Sequence, residues 1–248
     1  MFIQSTKGAS SERLKILIMG PSGVGKTFLA STIGEPTLVI SAEAGHLTLN
    51  EFDLDMIDLS TEKDKDGKIV CLDEAGRYQK LLRLFEWLQT DEPRKKYKWI
   101  YFDSITEVGG IVIRMLEKDS KYSAAKMTMP RYGEYTKKMI ALILSYRDIP
   151  FYNIAFTGLV ENKGDDGAKA PATILLPGTK LPENLPAFFD EVFYYGIKRD
   201  GNEDKRYLLT TATAEAYAKD RSGKLSKFEK PNLADIAKKI RGEKNVSK

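Results

Sequence analysis

Eight consecutive residues, Gly20, Pro21, Ser22, Gly23, Val24, Gly25, Lys26 and Thr27, satisfy the pattern G-x-x-x-x-G-K-[ST]. Glycines at this spacing let successive backbone N–H groups turn inward around a phosphate, and a helix opening after the loop points its positive end the same way. The lysine then reaches the outer phosphates and the hydroxyl of Thr27 is placed to ligate Mg2+. The bland alternative is a glycine-rich turn that happens to precede a helix. Lysine, threonine and flanking elements together argue against it.

A second carboxylate has to hold the metal through water, from the end of a neighbouring buried strand. Asp103, directly after the apolar run WIYF, answers to this, although Asp103 or Ser104 could equally serve as the N-cap of the helix that follows. Ser104 is expected to hydrogen-bond to the same cluster. Hydrolysis also calls for a group that orients or deprotonates water. Glu43 follows TLVIS, at a strand end that faces the crevice of a parallel sheet, but a surface acid would look the same in sequence.

These side chains need a scaffold that brings them together. The run 14–19 (LKILIM), the loop, the helical spacing from Lys26 to Gly34 and the run 37–41 (TLVIS) compose one βαβ unit with parallel strands. Residues 61–68 (TEKDKDGK) predict an exposed loop or hairpin tip. Helices are predicted around 81–88, 106–118 and 132–146, and strands at 99–102 and 151–156. From residue 174 onward, short apolar pieces separated by turns predict further strands at one edge of the sheet, antiparallel across GNED. The expected fold is α/β, a mostly parallel central sheet flanked by helices with antiparallel edge strands toward the C-terminus. Residues 1–13 read as a polar leader, 14–241 as a single domain and 242–248 as a basic tail.

Composition narrows the classes. The 248 residues are 42% hydrophobic, enough to bury a core. Lys and Arg number 39 against 35 Asp and Glu, a net +4 that permits a polyanionic partner without requiring one. One cysteine, Cys71, excludes an intramolecular disulfide, and one histidine, His46, leaves no ligand set for structural zinc. Neither is expected to act in catalysis; Cys71 is expected to pack as a small apolar side chain and His46 to cap or lie at the surface. No apolar run spans a bilayer, so a cytoplasmic protein without a membrane partner is expected.

GPSGVGKT, LVISAEAGHL and WIYFDSITEV, in this order, resemble the RecA-like ATPase core. That resemblance implies ATP and Mg2+ as ligands and makes Glu43 the catalytic base. It also matches Lys219 and Arg221 of AKDRSGK to the K-x-R pair that RecA and DnaB-type ATPases supply in trans, and so implies a homo-oligomer, ring or filament; a solvated basic turn is the alternative. Thr157 stands where RecA-like proteins often carry a Gln or His that senses the γ-phosphate. More narrowly, RYGEYTKKM, LPENLPAFFDEV and the late AKDRSGKL resemble bacteriophage RecA-like ATPases of single-strand annealing and recombination modules. This implies single-stranded DNA as partner, together with a single-strand-binding or annealing protein.

The segments matching DNA-contacting loops are 121–131, with Lys121, Tyr122, Lys126 and Arg131, and 161–171, with Lys163 and Lys169. Cations there suit phosphates and rings suit stacked bases. Mobile surface loops of mixed charge would read alike. A nucleotide-gated loader or adaptor that does not touch DNA is the competing expectation. A small-molecule phosphotransferase lacks its arginine-rich lid.

Overall fold

The computed structural model describes residues 13–43, 46–124, 128–161, 171–201 and 203–243. Five strands form its centre: β1 (Lys15–Met19), β2 (Thr37–Ser41), β6 (Trp99–Asp103), β7 (Asn153–Gly158) and the first half of β10 (Glu191–Asp200). They are near-continuous apolar runs because both faces of a parallel sheet are covered. Every residue of β2, β6 and β7 is buried.

Adding β3 (Asp55–Asp58), β11 (Glu203–Leu209) and β13 (Phe228–Glu229) gives the order β13-β11-β10-β1-β7-β6-β2-β3. The six strands from β10 to β3 are mutually parallel. From β10 outward the pairing turns antiparallel: β11 on β10, β13 on β11, and β12 (Lys219–Asp220) also on β10. The expected fold class is borne out, and 61–68 lies in a hairpin of β4 (Thr61–Lys63) and β5 (Ile69–Cys71).

Side-chain alternation divides the core in two. Leu17, Met19, Leu38, Ile40, Ile100, Phe102, Ile154 and Phe156 face α1 (Glu74–Leu88), α3 (Ile105–Lys118) and α4 (Thr128–Arg147). Ile16, Ile18, Val39, Trp99, Tyr101 and Phe193 face Leu29 and Ile33 beyond the glycine loop, and α6 (Leu233–Arg241). Asp73 caps α1 by accepting from Gly76 N at 2.8 Å, and Asn232 caps α6 from Asp235 N at 3.0 Å.

Two expectations are corrected. The helix predicted after the loop is a 3-10 turn, Thr27–Thr32. Ser31 Oγ donates to Phe28 O and Thr32 Oγ1 to Leu29 O, both at 2.7 Å, so hydroxyls occupy i−3 carbonyls that an α-helix would pair with backbone N–H groups. With so short a turn, the cradle relies on loop N–H groups more than on a helix dipole. Cys71 is exposed on the β4–β5 hairpin rather than packed, because that hairpin stands apart from the central sheet.

Candidate functional site

The glycine loop joins β1 to the 3-10 turn at the carboxyl end of the sheet. Gly23 and Gly25 have φ of +76° and +106°, a region L side chains rarely adopt. At Gly20 the constraint is space: a Cβ would lie 2.5 Å from Tyr195 O.

Lys26 is 8% exposed, and its Nζ donates to Gly20 O at 2.9 Å and Pro21 O at 2.8 Å. Among the described residues no carboxylate lies within ion-pair distance of it. Burial pushes its pKa down, while Asp103 and Glu43 push it back up. A cation held out of water against carbonyl dipoles calls for an anion. The Tyr101 hydroxyl, fully buried, donates to Lys26 O and ties the lysine's backbone to β6; burial raises the phenol's pKa well above its usual value.

Asp103 ends β6, which is separated from β1 by β7. That spacing places one carboxylate between two hydroxyls. Thr27 Oγ1 donates to Oδ2 at 2.5 Å, and Thr157 Oγ1, from β7, donates to Oδ1 at 2.6 Å and lies 3.2 Å from Phe102 O. Ser104 is the N-cap of α3, accepting from Glu107 N at 3.4 Å, so the cap and the carboxylate belong to adjacent residues. The peptide bond between them is cis.

Glu43 follows β2, the neighbour of β6. Its backbone N bonds Asp103 O at 3.4 Å, and its Oε1 accepts from Ser104 Oγ. All four chemistry-bearing groups border one cleft of about 780 Å3, lined by Ser22, Gly23, Gly25, Lys26, Thr27, Glu43 and Asp103 and, on other sides, by Phe28, Thr48, Tyr195, Arg206 and Pro231. The last group was not anticipated. Arg206 sits 182 positions from Val24, whose carbonyl it reaches, and nothing in KRYLLTT distinguishes it from a surface cation.

Lys219 and Arg221 lie elsewhere. Asp220 pairs with Glu191, which pairs with Ile16, so this segment borders the start of β1 while the glycine loop follows its end. At about 3.3 Å per residue the strand separates the two by roughly 15 Å. Lys219 Nζ donates to Pro186 O at 3.0 Å; burial, then Arg221, lowers its pKa. Arg221 pairs with Asp190 at 2.6 Å and is 61% exposed.

Among the DNA candidates, Lys121 is exposed, with Nζ 5.0 Å from the centre of the Tyr122 ring. Arg131 is tied inward. Its side chain is 14% exposed and bonds Tyr122 O at 3.0 Å, Ala124 O at 3.4 Å and Glu117 at 3.4 Å, so it braces the segment between α3 and α4. Lys126, Lys163, Lys169 and the side chain of His46 lie outside the described residues. Among the described residues no helix is long and apolar enough to cross a membrane.

The family model of the AAA domain AAA_24 matches residues 12–222. Among solved structures, the chain is similar to a KaiC-like protein of the hyperthermophilic archaeon Pyrococcus horikoshii, at 14% identity and TM-score 0.45, covering 84% of this chain and 83% of that one. No curated protein matches significantly.

Proposed function

The chain belongs to the AAA domain family AAA_24, a P-loop ATPase family, and from that premise we propose that its cleft binds and hydrolyses ATP in an oligomer coupled to single-stranded DNA. The setting we propose is a bacteriophage-type recombination or replication module. The observation that carries the reading is the convergence of Lys26, Thr27, Asp103 and Glu43, which follow or end the three strands β1, β6 and β2, on one cleft.

In this reading the loop N–H groups cradle the phosphates and Lys26 exchanges its two carbonyl partners for phosphate oxygens. Among the described residues no three His, Cys, Asp or Glu side chains converge on a metal. The carboxylate of Asp103 and the hydroxyl of Thr27, side by side at the cleft, are oxygen groups that would hold a nucleotide-borne Mg2+. Bound there, Mg2+ supplies charge neutralisation at the outer phosphates. Thr157 spends its hydroxyl on Asp103, and in this reading it positions that carboxylate rather than sensing the γ-phosphate.

Glu43 takes a proton from the attacking water as its oxygen bonds to the γ-phosphorus and the bond to ADP breaks. The Ser104 hydroxyl orients the accepting carboxylate. Lys219 and Arg221, being remote from their own loop, are available to a neighbouring copy's cleft, where an added cation stabilises charge on the transferred group.

The inward ties of Arg131 favour a second reading, a nucleotide-gated loader or adaptor that binds a replication or recombination protein without DNA contact. ATP turnover measured with and without single-stranded DNA across a protein concentration series separates the two. The favoured reading expects turnover per chain to rise with concentration and with DNA. Turnover indifferent to DNA, together with ATP-dependent capture of a helicase or annealing protein, would replace it with the second.

A further inference from the structure

We propose that Arg206 is a second cationic ligand of the bound nucleotide, supplied in cis by the β10–β11 hairpin. This rests on the nucleotide reading of the cleft. The hairpin overhangs the loop: β1 ends at Met19, which pairs with Tyr194, whereas Ile197 and its partner Arg206 lie about three residues further along, or roughly 10 Å past the strand end. Tyr195 and Arg206 project from the same sheet face as the glycine loop. A Cβ at Gly25 would sit 3.2 Å from the Tyr195 hydroxyl and 3.8 Å from Arg206 Nε.

Arg206 is pinned at one point only. Its Nε donates to Val24 O at 3.0 Å, inside the loop itself, and among the described residues its two terminal nitrogens have no hydrogen-bond or ion-pair partner. A planar guanidinium fixed through Nε keeps its terminal pair pre-oriented, here at the wall of the cleft. The polarity of the bound molecule follows from sheet order. Asp103 and Glu43 lie on the β6 and β2 side of β1, so the outer phosphate goes there. Arg206, Tyr195 and Pro231 lie on the β10 side, where the inner phosphate and nucleoside must then emerge. Arg206 therefore meets the inner phosphate, and it does so from the same chain as Lys26, in contrast to Lys219 and Arg221.

The test is calorimetric titration of the full chain with Mg·ADP, which lacks the outer phosphate. Arg206→Ala should weaken ADP about tenfold, Arg206→Lys less, because the charge is kept and the fork is lost. Since Arg206 is exposed, the melting temperature should stay near that of the wild type. Mixing Arg206→Ala with Lys26→Ala chains should leave ADP affinity at the weakened Arg206→Ala level, because each cleft depends on the arginine of its own chain. Wild-type ADP affinity in Arg206→Ala, or recovery on mixing, would overturn the proposal while leaving the nucleotide reading intact. Absence of ADP binding by the wild-type chain would overturn both.

Discussion

Thr157 Oγ1 donates a 2.6 Å hydrogen bond to Asp103 Oδ1, on the opposite side of the carboxylate from Thr27. Two threonines, one opening the 3-10 turn and one on β7, thus fix the plane of one acid.

Thr157→Val keeps the shape of the side chain and removes the donor. A hydrogen bond to a charged group contributes about 1.5–3 kcal/mol, so Asp103 should lose its fixed orientation. The Mg2+ concentration for half-maximal ATP turnover should rise severalfold, with Thr157→Ser close to wild type. Turnover followed against Mg2+ checks this, and an unchanged Mg2+ requirement counts against a positioning role.

Glu43→Gln removes the proton acceptor without changing the cleft's outline. Turnover should fall by about 10²–10⁴ while ATP affinity stays within about threefold. Ser104→Ala, which frees the carboxylate to rotate and also removes the cap of α3, should cost less in turnover. Single-turnover hydrolysis beside equilibrium binding distinguishes the two roles; a matching loss of affinity in Glu43→Gln would mean that the glutamate holds substrate.

Arg221→Ala should lower turnover by about 10³ with nucleotide affinity retained, the size of effect an arginine finger has on phosphoryl transfer. Its exposure means that little fold stability is at stake. Under the proposed trans assignment the affected step belongs to a neighbour's cleft, so mixing Arg221→Ala with Lys26→Ala should recover part of the activity. Undiminished turnover in Arg221→Ala would remove the trans assignment.

The carboxyl of Glu191, buried beside Asp220, has its pKa pushed up from 4.5 to about 8, by burial first and by Asp220 second. Between those values the folded chain keeps a proton that the unfolded chain has released, so stability should fall as pH rises through the window and level off above it. The loop carrying Arg221 is held by the same acids: Asp220 accepts from Gly223 N and Leu225 N, both at 2.9 Å, and Glu191 Oε1 accepts from Ser222 N at 3.1 Å. Melting temperatures of wild type and Glu191→Gln at pH 5 and pH 8 test this. The variant should show the flatter dependence; parallel curves would refute it.

The readable parts of the site were those encoded within a few residues. The glycine loop is contiguous, and its positive-φ positions admit little but glycine. Asp103 and Glu43 were legible because an apolar run followed by an acid at a strand end is a local pattern, and a parallel sheet gathers such ends along one edge. The antiparallel hairpin was announced by its turn. The 3-10 turn was missed because Ser31 and Thr32 bonding back to carbonyls is a choice the apolar spacing does not record.

Arg131 and Arg206 mark the limit. In sequence both are arginines beside tyrosines in basic surroundings, and only the first looked like a ligand. Packing of α4 against the end of α3 turned Arg131 inward, whereas placing β10 beside β1 carried the hairpin over the loop and set Arg206 against Val24. The sequence by itself determined the phosphate loop, its paired acids and the parallel sheet, since backbone preference and apolar periodicity act over a few residues. Which distant cations join the cleft was decided only by strand order and register, because contacts between residues 182 positions apart exist only once the sheet has closed around them.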